Sequence, residues 1–450
     1  MSTKYLNLAD KLIEFSKKNG SIDSEVVISN EIDTTVEARK GKIEFSEVSD
    51  KTSISLRVIN NNKSALVSTS NTSEKSLKQL AIKANEIANE SLINPFDILA
   101  QSNQFSNKIE NENLDIFDNN STNIMNTSIF EEMSLNADEA SYKSAKISNT
   151  DGSTAGASNN EFILCTSNGF SNGYKKSSYY ISSSAIASNN NKMEREYAFE
   201  QRTHLKDLPP PSDIGNLAAD RALKMIGATK PSTGNYPVIF NERISSSIIG
   251  HILSAINGQA ITNGSSWLLN FLNNKIIPEK YSLIENPHLP RMFGSRPFDA
   301  EGLETKNNLF IENGVLKSWV LDLKTSNQLG LKSTCNALRS SSTLPYPGVG
   351  NIELTGGNLS LDDLLKKADE GLMICSMIGS SINQNNGDYS RGASGFWFKG
   401  GKISHPVNEC TIAGNLIQMI KNMIIANDSK PHLSRRVPSI LIDEMTIAGN

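Results

Sequence analysis

Hydrophobic positions recur along the first part of the chain with two different periods. Tyr5, Leu8, Ala9, Leu12 and Phe15 stand at i, i+3, i+4, i+7 spacing, which puts them on one face of a helix that Asn19-Gly20 stops. The pattern then switches to alternation. "EVVISNEID", "TTVEARKGKIEFSEV" and "TSISLRVINNNKSALVSTS" read as strands, with turns at Lys40-Gly41 and over residues 60–62. Helical spacing returns over about 73–90, through Leu77, Leu80, Ala81, Ala84, Ile87 and Ala88, and more weakly over about 128–143, through Ile129, Met133, Ala137 and Ala140. Beyond a turn-rich stretch at Asp151-Gly152, "EFILCTSNG", "SNGYKKSSYYISSSAIA" and "REYAFEQRTHL" predict an antiparallel meander that turns at Asn168-Gly169 and Asn172-Gly173. Helices and strands are segregated instead of strictly alternating, so the pattern predicts an α+β chain.

The stretch "LKDLPPPSDIG" interrupts the periodicity, because three consecutive prolines continue neither a helix nor a central strand. The reading is therefore an N-terminal α/β domain over 1–204, a Pro-rich linker over 205–215, and a C-terminal, mainly β domain with a few helices over 216–450. A helix carrying Ile214, Leu217, Ala218, Ala222 and Leu223 follows the prolines. Further on, Gly and Pro in "PSTGNYPVIF", "GSRPFDAEG" and "YPGVGNIELTGGN" punctuate short strands. Helices are predicted over about 245–257, over 361–371 behind Ser360 as N-cap, and over 412–425 ahead of a final strand "PSILIDEM". "TIAGN" occurs at Thr411 and again at Thr446, a match short enough to arise by chance.

Composition narrows the class. A chain of 450 residues with 20% charged residues, net charge -4 and pI near 5.9 reads as a soluble globular protein of two or three domains. No dense Lys/Arg cluster marks a nucleic-acid face. The cysteines Cys165, Cys335, Cys375 and Cys410 are widely spaced and read as reduced thiols. The N-terminus carries charges every few residues instead of an apolar signal core, and no run of 18 apolar residues occurs. The expected location is the cytoplasm, with no membrane partner.

Candidate chemistry concentrates in "GDYSRGASGFW", residues 387–397, which brings together Asp388, Tyr389, Ser390, Arg391, Gly392 and Ser394. Gly392 and Gly395 bracket two residues where a nucleophile elbow needs three, and no phosphate-loop pattern occurs. The segment reads as a polar, glycine-rich loop that holds a peptide backbone or lines an interface. None of the five histidines lies at metal-ligand spacing from another. His251, in the apolar run "SSSIIGHILSAI", reads as a buried ring satisfied by one backbone partner. Cys410, placed just before a predicted helix and near His405, offers a thiol–imidazole pair, against its reading as a small buried hydrophobe.

"NPHLPRMFGSRPFDAEGLET", "NGVLKSWVLDLKTSNQLGLKSTCNA", "GDYSRGASGFWFKGGKISHPVNECTIAGNL" and the ending "PSILIDEMTIAG" together resemble the TldD/TldE (PmbA) metallopeptidase family, on its TldE/PmbA branch. The resemblance implies a heterodimer in which only the TldD-like chain carries zinc, on an HExxxH helix plus a distal cysteine. Counted without gaps from Pro237 in "PVIF", that motif falls on Gly250, His251, Ile252, Leu253, Ser254 and Ala255. Both histidine positions are lost, His251 stands where the glutamate would be, and no cysteine follows Cys410. The expectation is a subunit with no metal or cofactor of its own, paired with a zinc-bearing TldD-like partner or, alone, with itself. The pair would cleave unfolded or leader peptides and bind no nucleic acid directly. Asp388, Tyr389, Ser390, Arg391, Gly392 and Ser394 are then peptide-binding or interface residues. The alternatives are a stand-alone hydrolase using Cys410 and His405, and a non-enzymatic regulatory binding protein.

Overall fold

Alternation over the first part of the chain does produce strands, and they run longer than the local patterns suggest. In the computed structural model, which describes residues 3–106, 114–119, 124–143, 146–189 and 192–449, β1 (Asp23–Arg39) passes without a break through both of its predicted pieces. It continues because Ile28, Thr34 and Val36 keep alternate positions buried. β2 (Lys42–Asn60) and β3 (Lys63–Thr69) follow, with left-handed turn residues at Lys40, Asn61 and Asn62. β4 (Ile147–Thr166), β5 (Ser171–Asn189) and β6 (Lys192–Arg202) complete a six-stranded antiparallel sheet in the order β3-β2-β1-β4-β5-β6.

Two expected turns are strand instead. Asp151-Gly152 lies in β4 at a register irregularity, and Asn172-Gly173 lies in β5, paired with Leu164 and Ile163; only Asn168-Gly169 turns. Ladder pairing outweighs the local turn preference of Asn-Gly.

Helices cover one face of this sheet. Ala9 and Leu12 of α1 (Thr3–Lys18) and Leu77, Leu80, Ala81 and Ala84 of α2 (Glu74–Glu90) pack on Val26, Ile28, Ile54 and Leu56. The predicted stripes are slightly rotated: Ile87 and Ile129 are exposed, and Asn85 and Phe130 are buried. α3 (Ser128–Tyr142) and α4 (Pro211–Lys224) share a core in which Ala137, Ile214, Ala218 and Ala222 meet Ile181 and Ala198. The helix that starts in the proline stretch thus belongs with the first sheet, and the chain crosses to the second half after it instead of at 205–215. Pro211 tolerates this because the first helical position needs no N–H donor.

Among the described residues the second half holds two larger sheets and a two-stranded one. β8 (Ser282–Glu285), β9 (Asn308–Glu312), β10 (Val315–Leu316), β13 (Ile352–Thr355) and β18 (Arg435–Arg436) form one, in the order β10-β9-β8-β13-β18, while β11 (Ala337–Leu338) pairs with β12 (Tyr346–Pro347) beside it. β7 (Gly234–Phe240), β14 (Gly371–Ile382), β15 (Asp388–Lys399), β16 (Lys402–Asn415), β17 (Ile424–Ile425) and β19 (Ile440–Ala448) form the other. Its order is β16-β15-β14-β7-β19-β17, and a further β16–β19 pairing closes it on itself. That closure joins Thr411 to Ala448, Ile412 to Ile447 and Ala413 to Thr446, so the two "TIAGN" copies lie side by side. Residues 412–415 are accordingly strand, and the helix expected there shrinks to Leu416–Lys421. The helix that bears on the site is α5 (Glu242–Ala255), capped by Asn241; a further helix, Leu361–Ala368, is capped by Ser360 as predicted.

The halves are joined by buried contacts. Phe298 enters an aromatic cluster on the open face of the first sheet, 5.1 Å from the Phe170 ring and 5.4 Å from Tyr174. Glu25 of β1 accepts from Arg339 of the second half at 2.8 Å and from Arg57 at 3.3 Å, with all three side chains almost fully buried. Burial acts to raise the Glu25 pKa, and the two guanidiniums outweigh it and hold the carboxyl below its usual range.

Candidate functional site

The segment expected to be a loop is a strand inside the closed sheet. β15 is paired with β14 on one side and β16 on the other from Tyr389 to Phe398. Its backbone N–H groups therefore serve ladders instead of converging on an anion, and they are not open to an added peptide strand. The glycines have packing reasons: a Cβ at Gly395 would sit 2.0 Å from the Met373 carbonyl oxygen. Alternation divides the named residues between two faces. Tyr389 shares the face of the core residues Ala393 and Trp397, as does Arg391; Asp388, Ser390, Gly392 and Ser394 belong to the other. Asp388 is exposed and accepts from Asn386 at 2.8 Å and Asn415 at 3.1 Å, which ties the preceding turn to the end of β16.

Tyr389 carries the segment to α5. Its ring meets the His251 ring edge-on, with centroids 5.8 Å apart and planes at 71°. α5 buries Ile248, Ile249, Ile252 and Leu253 in the main core. Its other rank, Ser247, Gly250, His251 and Ser254 at spacings of three and four, lines a cleft of about 390 Å³. Val320, Leu338, Gly348, Val349 and Arg435 help complete the walls.

The expected backbone partner of His251 is missing: Nε2 is buried with no hydrogen-bond partner, and the ring rests on Tyr389. Burial, helped by the positive charge of Arg391, lowers its pKa to about 4, so the ring is neutral at physiological pH. Arg391 itself donates from Nε to the Gly379 carbonyl at 2.7 Å. Ser247 Oγ is likewise buried without a partner. At Gly250 the cleft is open, because a Cβ there would meet only Arg435 Nη1, at 3.6 Å. Arg435 is a site residue that no local sequence pattern singles out. The tandem Arg435-Arg436 was visible, yet only the fold separates their roles: Arg436 pairs with Glu353 at 2.8 Å, while the Arg435 guanidinium is exposed with no partner among the described residues.

These residues do not fit a zinc ion. Gly250 and Ala255 supply no donor, Ala255 is buried in the core, and His251 is the one imidazole on the helix. Among the described residues no group of three or more His, Cys, Asp or Glu is arranged to hold a metal.

The thiol–imidazole pair is not assembled either. Cys410 lies within β16 opposite Ala393, not ahead of a helix, and its Sγ donates to the Ala393 carbonyl at 3.2 Å. Burial pushes the thiol pKa up to about 11, opposite to what a nucleophile needs. His405 stands opposite Trp397, exposed, with Nδ1 3.1 Å from Ser404 Oγ. The two partners on β15 are four residues apart, a separation of about 13 Å along a strand.

A fold of this layout recurs in solved proteins. A crystal structure from Bacteroides thetaiotaomicron named for DNA gyrase modulation superposes with a TM-score of 0.90 at 25% identity, covering 100% of both chains. TldE from Thermococcus kodakarensis shares the fold with a TM-score of 0.86 at 19% identity, over 98% of this chain and 100% of that one. The PmbA/TldA metallopeptidase domain 1, central domain and C-terminal domain match residues 24–88, 126–226 and 233–449 in turn. The Escherichia coli O157:H7 metalloprotease PmbA is 31% identical over 428 residues, covering 95% of this chain and 92% of the relative. The chain belongs to the PmbA/TldD metallopeptidase family. Among the described residues no helix is long and apolar enough to cross a membrane.

Proposed function

We propose that the chain is the TldE/PmbA-type subunit of a cytoplasmic two-subunit metallopeptidase that cleaves unfolded or leader peptides, with the zinc held by a TldD-like partner. The observation that carries this is α5, where Gly250, His251 and Ala255 stand in place of the ligand motif and the helix faces a cleft all the same. End-to-end similarity to a PmbA relative supports the same branch. In this reading the cleft walls part of a peptide channel. Tyr389 and Arg391 shape it from behind, and Asp388, Ser390, Gly392 and Ser394 stabilise the sheet and its turn. A channel of this kind admits only peptide in extended form, whose main-chain groups are free, so folded proteins are excluded.

The test is to purify the chain alone and together with a TldD-like subunit. Alone it should contain no stoichiometric zinc and leave an unfolded polypeptide intact. Together the two should cosediment and cleave that polypeptide, and a chelator should abolish the cleavage. Stoichiometric zinc in the isolated chain, or turnover without the partner, would overturn the proposal.

A further inference from the structure

The cleft beneath α5 contains more chemistry than a passive wall requires. Among the described residues no Asp or Glu lines it. One guanidinium, Arg435, stands at its mouth without a counter-ion among the described residues. Two polar atoms on the helix, Ser247 Oγ and His251 Nε2, are buried without hydrogen-bond partners, and both residues line the cleft. Buried polar atoms are nearly always paired with protein, water or ligand, so two orphans on adjacent turns of one helix, beside a free cation, mark a place where something polar binds. Gly250 lies between them and removes the side chain that would fill the space in front of Arg435. Leu253, Val320, Leu338 and Val349 supply apolar walls around this polar floor.

We infer that this cleft is a carboxylate-binding site in which Arg435 supplies the charge, while Ser247 and His251, whose unpaired polar atoms lie covered just under the cleft wall, turn toward the ligand to add hydrogen bonds. A guanidinium suits a carboxylate because its planar N–H groups match the two oxygens, and a serine hydroxyl can donate to the same group. The apolar walls suit the aliphatic or aromatic side chain next to that carboxylate. A peptide offers two sources, its C-terminal carboxylate and an Asp or Glu side chain. The identity of the ligand as a peptide rests on the proposed function, but the site is complete within this chain and needs no zinc-bearing partner.

The test uses the isolated full-length chain and fluorescence anisotropy with a labelled hexapeptide of alanine and leucine in three forms: free C-terminus, amidated C-terminus, and amidated with one internal glutamate. The free-carboxylate form should bind about tenfold or more tightly than the plain amide, the scale of one charge-assisted hydrogen-bonded pair. Arg435→Gln should erase that difference, and Gly250→Leu should do the same by filling the space. Arg436→Gln, which touches the neighbouring ion pair, should leave the discrimination in place. Equal binding of the internal-glutamate form would identify either carboxylate as a ligand, and weak binding of it would identify the C-terminus; both support the site. Equal affinity for the free and amidated peptides, or discrimination that survives Arg435→Gln, would overturn it. Failure of zinc-dependent turnover with a TldD-like subunit would sink the proposed function and leave this result standing.

Discussion

Strand β15 and helix α5 meet at Tyr389 and His251, and they use their residues in opposite ways. β15 is dense in acid, base, hydroxyl and glycine, yet its backbone is engaged on both sides and its polar side chains are split between two faces. α5 is mostly isoleucine and serine, yet its outer rank opens onto the cleft. Crowded polar residue types can report the needs of a tight ladder, while a single missing side chain can report an opening.

The contrast between strand and helix is most exposed at their glycines. At Gly395 a Cβ would collide with main chain on β14, whose ladder leaves it little room to retreat. Gly395→Val should cost about 3 kcal/mol or more of stability, read from the midpoint of urea unfolding. A variant within about 0.5 kcal/mol of the parent would show that β14 and β15 are not so closely held. At Gly250 the added methyl meets only the movable end of Arg435. Gly250→Ala should therefore stabilise the chain by up to about 1 kcal/mol, the ordinary gain for this change within a helix. A loss instead would mean that the cleft is closed at that point.

Cys410 tests the same contrast from the neighbouring strand. Its thiol is buried and hydrogen-bonded to β15, so Cys410→Ala should cost stability on the order of 1 kcal/mol and leave turnover by the reconstituted pair unchanged. Turnover that vanished while the variant stayed folded would restore the stand-alone thiol mechanism.

Much of the scaffold could be read from the chain. The α1 and α2 periodicities were strong enough to give those helices nearly residue by residue, because each buries a whole stripe against one sheet. What failed were signals whose meaning depends on a distant strand. Asp151-Gly152 and Asn172-Gly173 have turn chemistry but are held straight by long ladders. Residues 412–415 stand at the head of an apolar run that looks helical, yet they are strand, and Ile412 and Ala413 pair with the second "TIAGN" copy and close the sheet. The repeat was in plain view, and only its antiparallel pairing gives it meaning. For the site, the loss of metal ligands at Gly250 and Ala255 was legible by counting. Arg435 was not, since it arrives over α5 from a two-residue strand almost two hundred residues further on, a distance no local pattern records.

The contact between Tyr389 and His251 can itself be probed by pH. His251 has its pKa lowered to about 4 from an ordinary 6.5, first by burial and then by Arg391. Because the folded ring resists protonation, the unfolded chain binds the proton more readily. The contribution of His251 to stability is therefore complete above about pH 6.5 and is lost as the pH falls toward 4. A titration of the ring protons by NMR should place the midpoint near 4. Arg391→Gln should raise that midpoint only part of the way, since burial remains. A carboxylate ligand bound beside the ring should raise it too, because an anion favours the imidazolium. If His251 instead titrates near 6.5 in the free chain, the ring lies in open water, and α5 would be as plain in its chemistry as its sequence first suggests.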